Sequence, residues 1–209
     1  MLNLRGSDIE YNPVFLSYLF IKFPPKKQKP QVTLFINMDR LEQSVKTYLK
    51  SLSVQIQKYE YIFHFLSIIS YPITADKNSC NYSLIRTLDE FEYISKPSPI
   101  EMFKAVKNER ELQGLRDCHV RDGAAVVAYL AWLHHELLIS KRTDLTEYSA
   151  PLQLEKYRRM QKFNKGLSFK TISAIGPNGA IVHYSPEEKT AAVLTPNEVY
   201  LLDSGGQYL

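Results

Sequence analysis

The chain has 209 residues, 44% of them hydrophobic and 23% charged, so it can bury a substantial core in one large domain or two modest ones. A formal net charge of +4 is too small to argue for nucleic acid as a partner. The most apolar stretch begins at Tyr61, is too short to span a bilayer and contains His64, which argues against a membrane segment.

The cysteines and the N-terminus bear on the compartment. Cys80 and Cys118 have neither the spacing of a metal site nor that of a disulfide framework. Arg5, Asp8 and Glu10 interrupt any apolar run that a secretory signal would need. These features predict a soluble protein of a reducing compartment, the cytoplasm.

The first half of the chain alternates strand and helix patterns. Residues 14–23 and 31–37 are rich in Val, Ile, Phe and Tyr and predict two strands, joined by a hairpin loop at 24–30 that is rich in proline and lysine. A helix is predicted from Asp39 to Leu52 and a further strand from Val54 to Tyr59. This order is typical of βαβ units, so the predicted fold class is α/β.

A domain boundary is predicted near residues 95–101, and helices follow it. Asn108 and Glu111 have the spacing of a capping box, which predicts the start of a long helix. Another helix is predicted to begin after Asp144 or Thr146. The apolar positions of the long helix fall roughly on one face, which we expect to be buried: Leu112, Leu115, Val120, Val127, Leu130 and Leu137.

Strand patterns return near the C-terminal end and carry two candidate functional residues. His183 lies in the predicted strand 180–184, where a lone histidine is more often a core residue than a catalytic one. Asp203 ends the predicted strand 199–203 and precedes a predicted Ser-Gly-Gly turn, after which residues 207–209 resemble a returning strand. A carboxylate at the buried end of a strand would need a partner. From these patterns alone the roles of both residues stay open.

Four segments share the motifs of one known family: NLRGSDIEYNPVFLSY, SPIEMFKAVKNERELQGLRDCHVRDGAAVVAYLAWL, TISAIGPNGAIVHY and VYLLDSGGQY. They closely resemble aminopeptidase P, the Xaa-Pro aminopeptidases of the pita-bread metallopeptidase family, in the three-domain form of eukaryotes. The resemblance implies a partial creatinase-like N-terminal domain at residues 1–97. It implies the first half of an α+β pita-bread catalytic domain at residues 98–209, so the chain is expected to be a fragment.

The resemblance also implies an activity, which is removal of the N-terminal residue from peptides with proline in the second position. Family members hold two divalent metal ions, usually Mn²⁺, bridged by carboxylates and a shared water or hydroxide that attacks the Xaa-Pro bond. Asp203 lies where the family has its first metal-binding aspartate. His183 lies where the family has a histidine that binds substrate and moves protons. Asn178 and Tyr184 are expected to be scaffolding.

The family's other four metal ligands have no counterpart in this chain, so the 209 residues alone are expected to be inactive. Xaa-Pro peptides and a second copy of the complete protein are the expected partners, with neither nucleic acid nor membrane. The alternative is a pita-bread module that binds peptides or proteins without catalysis, because a fold does not determine a function.

Overall fold

The computed structural model describes residues 2–24, 28–89 and 93–209, so the predicted loop at 24–30 lies partly outside the described residues. The chain divides into two compact units, residues 1–8 with 14–106 and residues 9–13 with 107–209. No described helix combines the length and the apolar character needed to cross a membrane.

The first unit contains a three-stranded sheet. The strands β1 (Ser17–Lys22) and β2 (Gln31–Ile36) are antiparallel, and β2 is parallel to β3 (Val54–Lys58). The helix α1 (Gln43–Ser51) connects the two parallel strands, as a crossover must. The predicted strands and the βαβ order are confirmed. The helix begins later than Asp39 because residues 38–40 form a separate 3-10 turn.

Both faces of β2 are covered, so its residues are buried on either side. Leu34 and Ile36 face one cluster and Phe35 faces the other, as the alternation of a strand requires. The first cluster also contains Leu41, Leu49 and Val54. The second contains Ile62, Leu66, Leu84 and Leu88.

The remaining elements of the first unit are short. The apolar stretch that begins at Tyr61 forms the helix α2 (Tyr61–Ser67). The helix α3 (Tyr82–Asp89) lies in sequence between β4 (Ile73–Ala75) and β5 (Tyr93–Ser95), which pair in parallel. The helix α4 (Pro99–Ala105) ends this unit.

The second unit begins with the long helix α5 (Glu109–His134), and its predicted capping box is confirmed. The Asn108 side chain accepts a hydrogen bond from the Glu111 backbone N–H at 3.0 Å. The Glu111 carboxylate accepts one from the Asn108 backbone N–H at 2.9 Å. Two N–H groups that the helix leaves without partners are thereby satisfied.

The predicted buried face of α5 is wrong for most of its members. The buried residues are Ala125, Tyr129 and Leu133, spaced four apart along one side of the helix. The buried side of α5 is the side that faces α6 (Pro151–Arg159) and the strands beyond it. A count of large apolar residues did not find this side because two of its members are an alanine and a tyrosine. Four residues of the predicted face are exposed: Leu115, Val120, Val127 and Leu130.

The helix α6 begins later than predicted because residues 146–149 form a turn of their own. The Thr146 backbone N–H donates to the Ser149 hydroxyl at 2.9 Å, and the Ser149 backbone N–H donates to the Thr146 hydroxyl at 3.1 Å. Pro151 then occupies the first helical position, where its missing N–H costs nothing.

The last strands form a long antiparallel ribbon with an irregular middle. The strand β7 (Ile172–Ile175) pairs with β8 (Tyr200–Asp203), and β6 (Asn164–Leu167) pairs with β9 (Gly206–Tyr208). The Ser168 backbone N–H donates to the Gly205 carbonyl at 3.0 Å between the two ladders. Residues 164–175 and 200–208 therefore run side by side.

The predicted Ser-Gly-Gly turn after Asp203 is wrong. The chain does not fold back on β8 there, because β9 pairs with β6. Four residues of one segment, 168–171, lie opposite Ser204 and Gly205 of the other, so the interruption is a bulge. Local turn propensity did not reveal that β6 was available as a partner.

Candidate active site

Asp203 is the last residue of β8, and its backbone pairs with that of Ile172. The side chain is exposed, so the sequence-based concern about a buried carboxylate does not apply. Within the described residues the Asp203 carboxylate has neither a hydrogen bond nor an ion pair. An exposed carboxylate without a partner is a suitable donor for a hard divalent cation.

His183 lies in a turn, and the strand predicted at 180–184 is wrong. Residues 176–180 form a 3-10 turn, and the chain bends again before Tyr184. Gly176 has a φ of +52°, a left-handed conformation that favours glycine, and the Glu198 side chain would have to move to admit a Cβ there. The His183 side chain is exposed and its φ is +57°, a left-handed conformation that is uncommon for a residue with a side chain.

The two candidate residues belong to adjoining parts of the second unit. The 3-10 turn that precedes His183 lies against the strand that ends at Asp203, since a Cβ on Gly179 would be 3.8 Å from the Cβ of Leu201. No hydrogen bond or ion pair joins His183 to Asp203 among the described residues. Over the same residues, no three or more His, Cys, Asp and Glu side chains are grouped so that they could hold a metal ion.

Glu147 is the most extensively bonded carboxylate near these residues, and it is fully buried. Its Oε1 accepts hydrogen bonds from the backbone N–H of Ile175 at 2.7 Å and from Asn178 Nδ2 at 3.1 Å. Its Oε2 accepts from the Tyr184 hydroxyl at 2.5 Å, the backbone N–H of Ala192 at 2.9 Å and Asn178 Nδ2 at 3.1 Å. Residues on both sides of His183 therefore donate hydrogen bonds to one buried carboxylate.

These hydrogen bonds decide the ionisation of Glu147. Burial by itself would raise the pKa of the Glu147 carboxyl, but the bonds from Tyr184, the two backbone N–H groups and Asn178 outweigh burial and hold that pKa below its ordinary value of 4.5. Burial and the bond to Glu147 raise the pKa of the Tyr184 hydroxyl to about 12. Near neutral pH the carboxylate is charged and the phenol keeps the proton that it donates.

A second buried charge supports the segment that follows Asp203. Arg158 is 2% exposed and donates from Nε to Asp122 Oδ1 at 2.8 Å and from Nη2 to Asp122 Oδ2 at 2.9 Å. Arg158 Nη2 also donates to the Ser204 hydroxyl at 3.1 Å, and the Tyr208 hydroxyl donates to Asp122 Oδ1 at 2.9 Å. Ser204 and Tyr208 are therefore tied to α5 and α6.

A third group of hydroxyls links α5 to the ribbon. The Tyr129 and Tyr200 hydroxyls are 2.8 Å apart, and the Tyr200 hydroxyl is 2.9 Å from the Ser173 hydroxyl. Burial raises the pKa of Tyr129 and of Tyr200 above the ordinary tyrosine value. These phenols stay neutral and satisfy one another inside the core.

Sequence reasoning missed Glu147, Asp122 and Arg158. It interpreted Asn178 and Tyr184 as scaffolding, which their contacts with Glu147 support. If Asn178 and Tyr184 are buried donors, each needs an acceptor, and this was the sequence signal for a buried acid nearby. No local pattern distinguishes Glu147 from the chain's other acids. Its partners are 28 or more residues away in sequence.

The donor set fits a metal site only in part. Asp203 offers the carboxylate oxygen that Mg²⁺, Ca²⁺ and Mn²⁺ prefer, whereas Glu147 and Asp122 are occupied by hydrogen bonds. A single carboxylate cannot retain two divalent ions, because each ion needs several ligands. The described residues therefore supply one candidate ligand and not a complete site.

Family comparisons agree with this architecture. Residues 1–111 match the Creatinase/Prolidase N-terminal domain, and residues 113–209 match metallopeptidase family M24. The chain therefore belongs to the creatinase/prolidase family and joins that N-terminal domain to part of an M24 metallopeptidase domain.

Comparison with individual proteins gives a more specific similarity than the family models do. The chain is 40% identical to a probable Xaa-Pro aminopeptidase P of Sordaria macrospora, over 100% of this chain and 35% of that protein. It is 42% identical to a probable Xaa-Pro aminopeptidase P of Aspergillus fumigatus, over 100% of this chain and 32% of that protein. The chain thus spans about a third of the length of these relatives.

Solved structures show the same fold. An X-prolyl aminopeptidase from Caenorhabditis elegans, described as a cytosolic enzyme with a di-nuclear active site, matches with a TM-score of 0.83 and 32% identity. The match covers 99% of this chain and 34% of that one. A prolidase from Pyrococcus furiosus matches with a TM-score of 0.57 and 17% identity, over 85% of this chain and 52% of that one, which shows the fold alone.

Proposed function

We propose that this chain is part of a metal-dependent Xaa-Pro aminopeptidase, which removes the N-terminal residue from peptides with proline in the second position. The observation that carries the proposal is the similarity to Xaa-Pro aminopeptidases P over the whole of this chain. In this proposal residues 1–97 are a partial N-terminal domain and residues 98–209 are the first half of the catalytic domain.

Asp203 would be a metal ligand and His183 a catalytic residue. Two divalent ions, when bound, supply a water of lowered pKa and polarise the scissile carbonyl. The exposed carboxylate of Asp203 could provide one of the metal ligands, and Mn²⁺ prefers such oxygen donors. His183 has an exposed imidazole that can hold substrate and move a proton near neutral pH. The remaining ligands would come from outside the 209 residues.

The first test is activity of the complete product of the gene that encodes this chain. We expect it to cleave an Xaa-Pro peptide faster than the matching Xaa-Ala peptide, to lose activity in EDTA and to regain it best with Mn²⁺. If it binds no metal and cleaves neither peptide, the protein is instead a non-catalytic binding module. Binding of the same Xaa-Pro peptide would then be measured by calorimetry.

Two substitutions test the assigned residues. Asp203→Asn should abolish metal-dependent turnover and lower the metal content, because an amide is a poorer ligand than a carboxylate. His183→Ala should leave the metals bound and lower kcat by roughly 10²- to 10⁴-fold, the usual contribution of general acid–base catalysis. His134→Ala, which removes another exposed histidine of the same unit, is the control and should have no effect. A wild-type rate for His183→Ala would contradict its role.

We further propose that the complete protein works in the cytoplasm as a homodimer and that neither nucleic acid nor membrane is a partner. A relative described as cytosolic supports the compartment. Sedimentation of the complete protein should give twice the monomer mass, and cell fractionation should recover it in the cytosol. A monomeric mass would contradict the dimer without affecting the proposed reaction.

A further inference from the structure

We propose that Glu147 is a positioning residue for His183 and that it acts by holding the loop of residues 176–184 in shape. This inference rests on the function proposed above, because it assigns Glu147 a part in the same reaction. Glu147 itself is fully buried, so it would act only through the residues that it binds.

The first argument is that the buried, charged carboxylate of Glu147 is stabilised by hydrogen bonds alone. The atoms that donate to Glu147 belong to Ile175, Asn178, Tyr184 and Ala192, and none of these groups is a cation. A buried charge is costly unless every lone pair is satisfied. The structure therefore keeps Glu147 in place only while the surrounding loop keeps all these donors aimed at it.

The second argument is that the donors lie on both sides of His183 in sequence. Ile175 and Asn178 precede His183, Tyr184 follows it directly, and Ala192 closes the segment from beyond. The backbone around Glu147 adds a further link, since its own N–H donates to the Ala192 carbonyl at 3.0 Å. Both ends of the loop are thus tied to one residue.

The third argument is the conformation of His183. Its φ of +57° is sterically unfavourable for a residue with a Cβ and persists only where the surroundings enforce it. The turn is closed by a bond from the Tyr184 backbone N–H to the Ile181 carbonyl at 3.2 Å, and the Tyr184 side chain is anchored on Glu147. Without that anchor, we expect His183 to relax to a commoner conformation and its imidazole to move.

Glutamine at this position would be a sharp test because it keeps the shape, removes the charge and replaces one acceptor oxygen with an NH₂ donor. Oε1 receives a backbone N–H from Ile175 and Oε2 receives one from Ala192. Whichever way the amide is turned, its NH₂ group faces one of these two donors. Glu147→Gln therefore leaves a buried N–H without a partner, which a Glu-to-Gln change on the surface does not do.

The experiment uses the complete gene product and compares Glu147→Gln with Glu155→Gln. Glu155 lies on α6, where it accepts an exposed hydrogen bond from Arg159, so it matches the chemical change without touching the loop. We expect Glu147→Gln to lower kcat on an Xaa-Pro peptide by roughly 10- to 100-fold, as loss of a supporting hydrogen bond in an active site does. KM should change less than kcat, the metal content should stay at the wild-type level, and Glu155→Gln should match wild type in all three.

A double-mutant cycle separates positioning from general structural damage. In a His183→Ala background, Glu147→Gln should cause little further loss of kcat, because the residue through which it acts is already gone. If the two losses multiply as independent effects, the proposal is wrong. Tyr184→Phe is the second variant should Glu147→Gln fail to fold, and it should lower kcat in the same direction with the same dependence on His183.

A second measurement does not depend on activity. Hydrogen–deuterium exchange of the backbone amides between residues 175 and 192 should accelerate in Glu147→Gln and stay at the wild-type rate in Glu155→Gln. Unchanged exchange, or an unchanged kcat in Glu147→Gln, overturns the proposal. A wild-type protein with no turnover of Xaa-Pro peptides overturns the proposed function and with it the catalytic part of this inference, whereas the exchange rates still decide whether Glu147 holds the loop.

Discussion

At the scale of single residues, the second unit contains acids that support the structure through hydrogen bonds and exposed acids that do not. Asp122 and Glu147 are each committed to several hydrogen bonds, whereas the Asp203 carboxylate is exposed and without a partner in the described part of the chain. A carboxylate already surrounded by donors has few lone pairs left for a cation. Hydrogen bonding therefore distinguishes among acids that look alike in a sequence.

The Asp122–Arg158 pair should be essential for the stability of the second unit. Asp122→Ala leaves the buried Arg158 charge without its carboxylate, and we expect a loss of about 3–5 kcal/mol in the free energy of unfolding. Urea unfolding followed by the fluorescence of Trp132, the chain's one tryptophan, reports on this unit. The double variant Asp122→Leu with Arg158→Met should recover much of the loss. A cost below about 1 kcal/mol, typical of an exposed pair, would contradict this prediction.

Glu147 should contribute a stability that disappears in acid. Because its pKa is lower in the folded protein than its ordinary value of 4.5, folding favours the ionised form. The contribution is therefore present above pH 4.5 and is lost as the pH falls through the folded-state pKa. Tyr184, the titratable group bound to it, keeps its proton throughout this range because its pKa is about 12.

Unfolding of wild type and Glu147→Gln between about pH 3 and 6 measures this effect. The difference in free energy of unfolding between the two proteins should shrink below pH 4.5. Asp76 and Asp144, whose pKa values hydrogen bonds also lower, remain in both proteins and cancel. A difference that stays constant with pH would show that folding leaves the pKa of Glu147 unchanged, which would contradict this prediction.

At the scale of elements, the start of α5 was predictable and its buried face was not. The capping box of α5 depends on Asn108 and Glu111, which are three residues apart, so its geometry is written locally. The buried face of α5 depends on what lies beside the helix in space. Several apolar residues therefore stay exposed while Tyr129 is fully buried.

Two leucines of α5 test which face stabilises the fold. Leu133 is 6% exposed and Leu130 is 46% exposed, so the same change to alanine has different consequences. Leu133→Ala should cost about 2–5 kcal/mol through lost burial and an unfilled cavity. Leu130→Ala should stay within about 0.5 kcal/mol of wild type. Equal costs in Trp132-monitored unfolding would mean that the Leu130 side of α5 packs against the core as closely as the Leu133 side does.

At the scale of the whole molecule, the chain contributes one candidate ligand to a site that needs several. We expect the 209-residue chain by itself to bind Mn²⁺ weakly and without defined stoichiometry, because a lone carboxylate cannot replace the hydration shell of a divalent ion. Calorimetric titration with Mn²⁺ tests this, with Asp203→Asn as the control. Tight stoichiometric uptake that Asp203→Asn removes would contradict the expectation and reveal ligands that the comparison with the family did not suggest.

By itself the sequence determined the family, the strands and crossover of the first unit, the cap of α5, and the nomination of His183 and Asp203. Each of these depends on residues that are close in sequence or on motifs that can be recognised in the amino-acid sequence itself. The tertiary structure alone decided that β9 pairs with β6, that α5 buries the side containing Tyr129, and that Glu147 anchors the loop of His183. These contacts join residues far apart in the chain, and their energies depend on burial and hydrogen-bond geometry that exist only once the chain has folded.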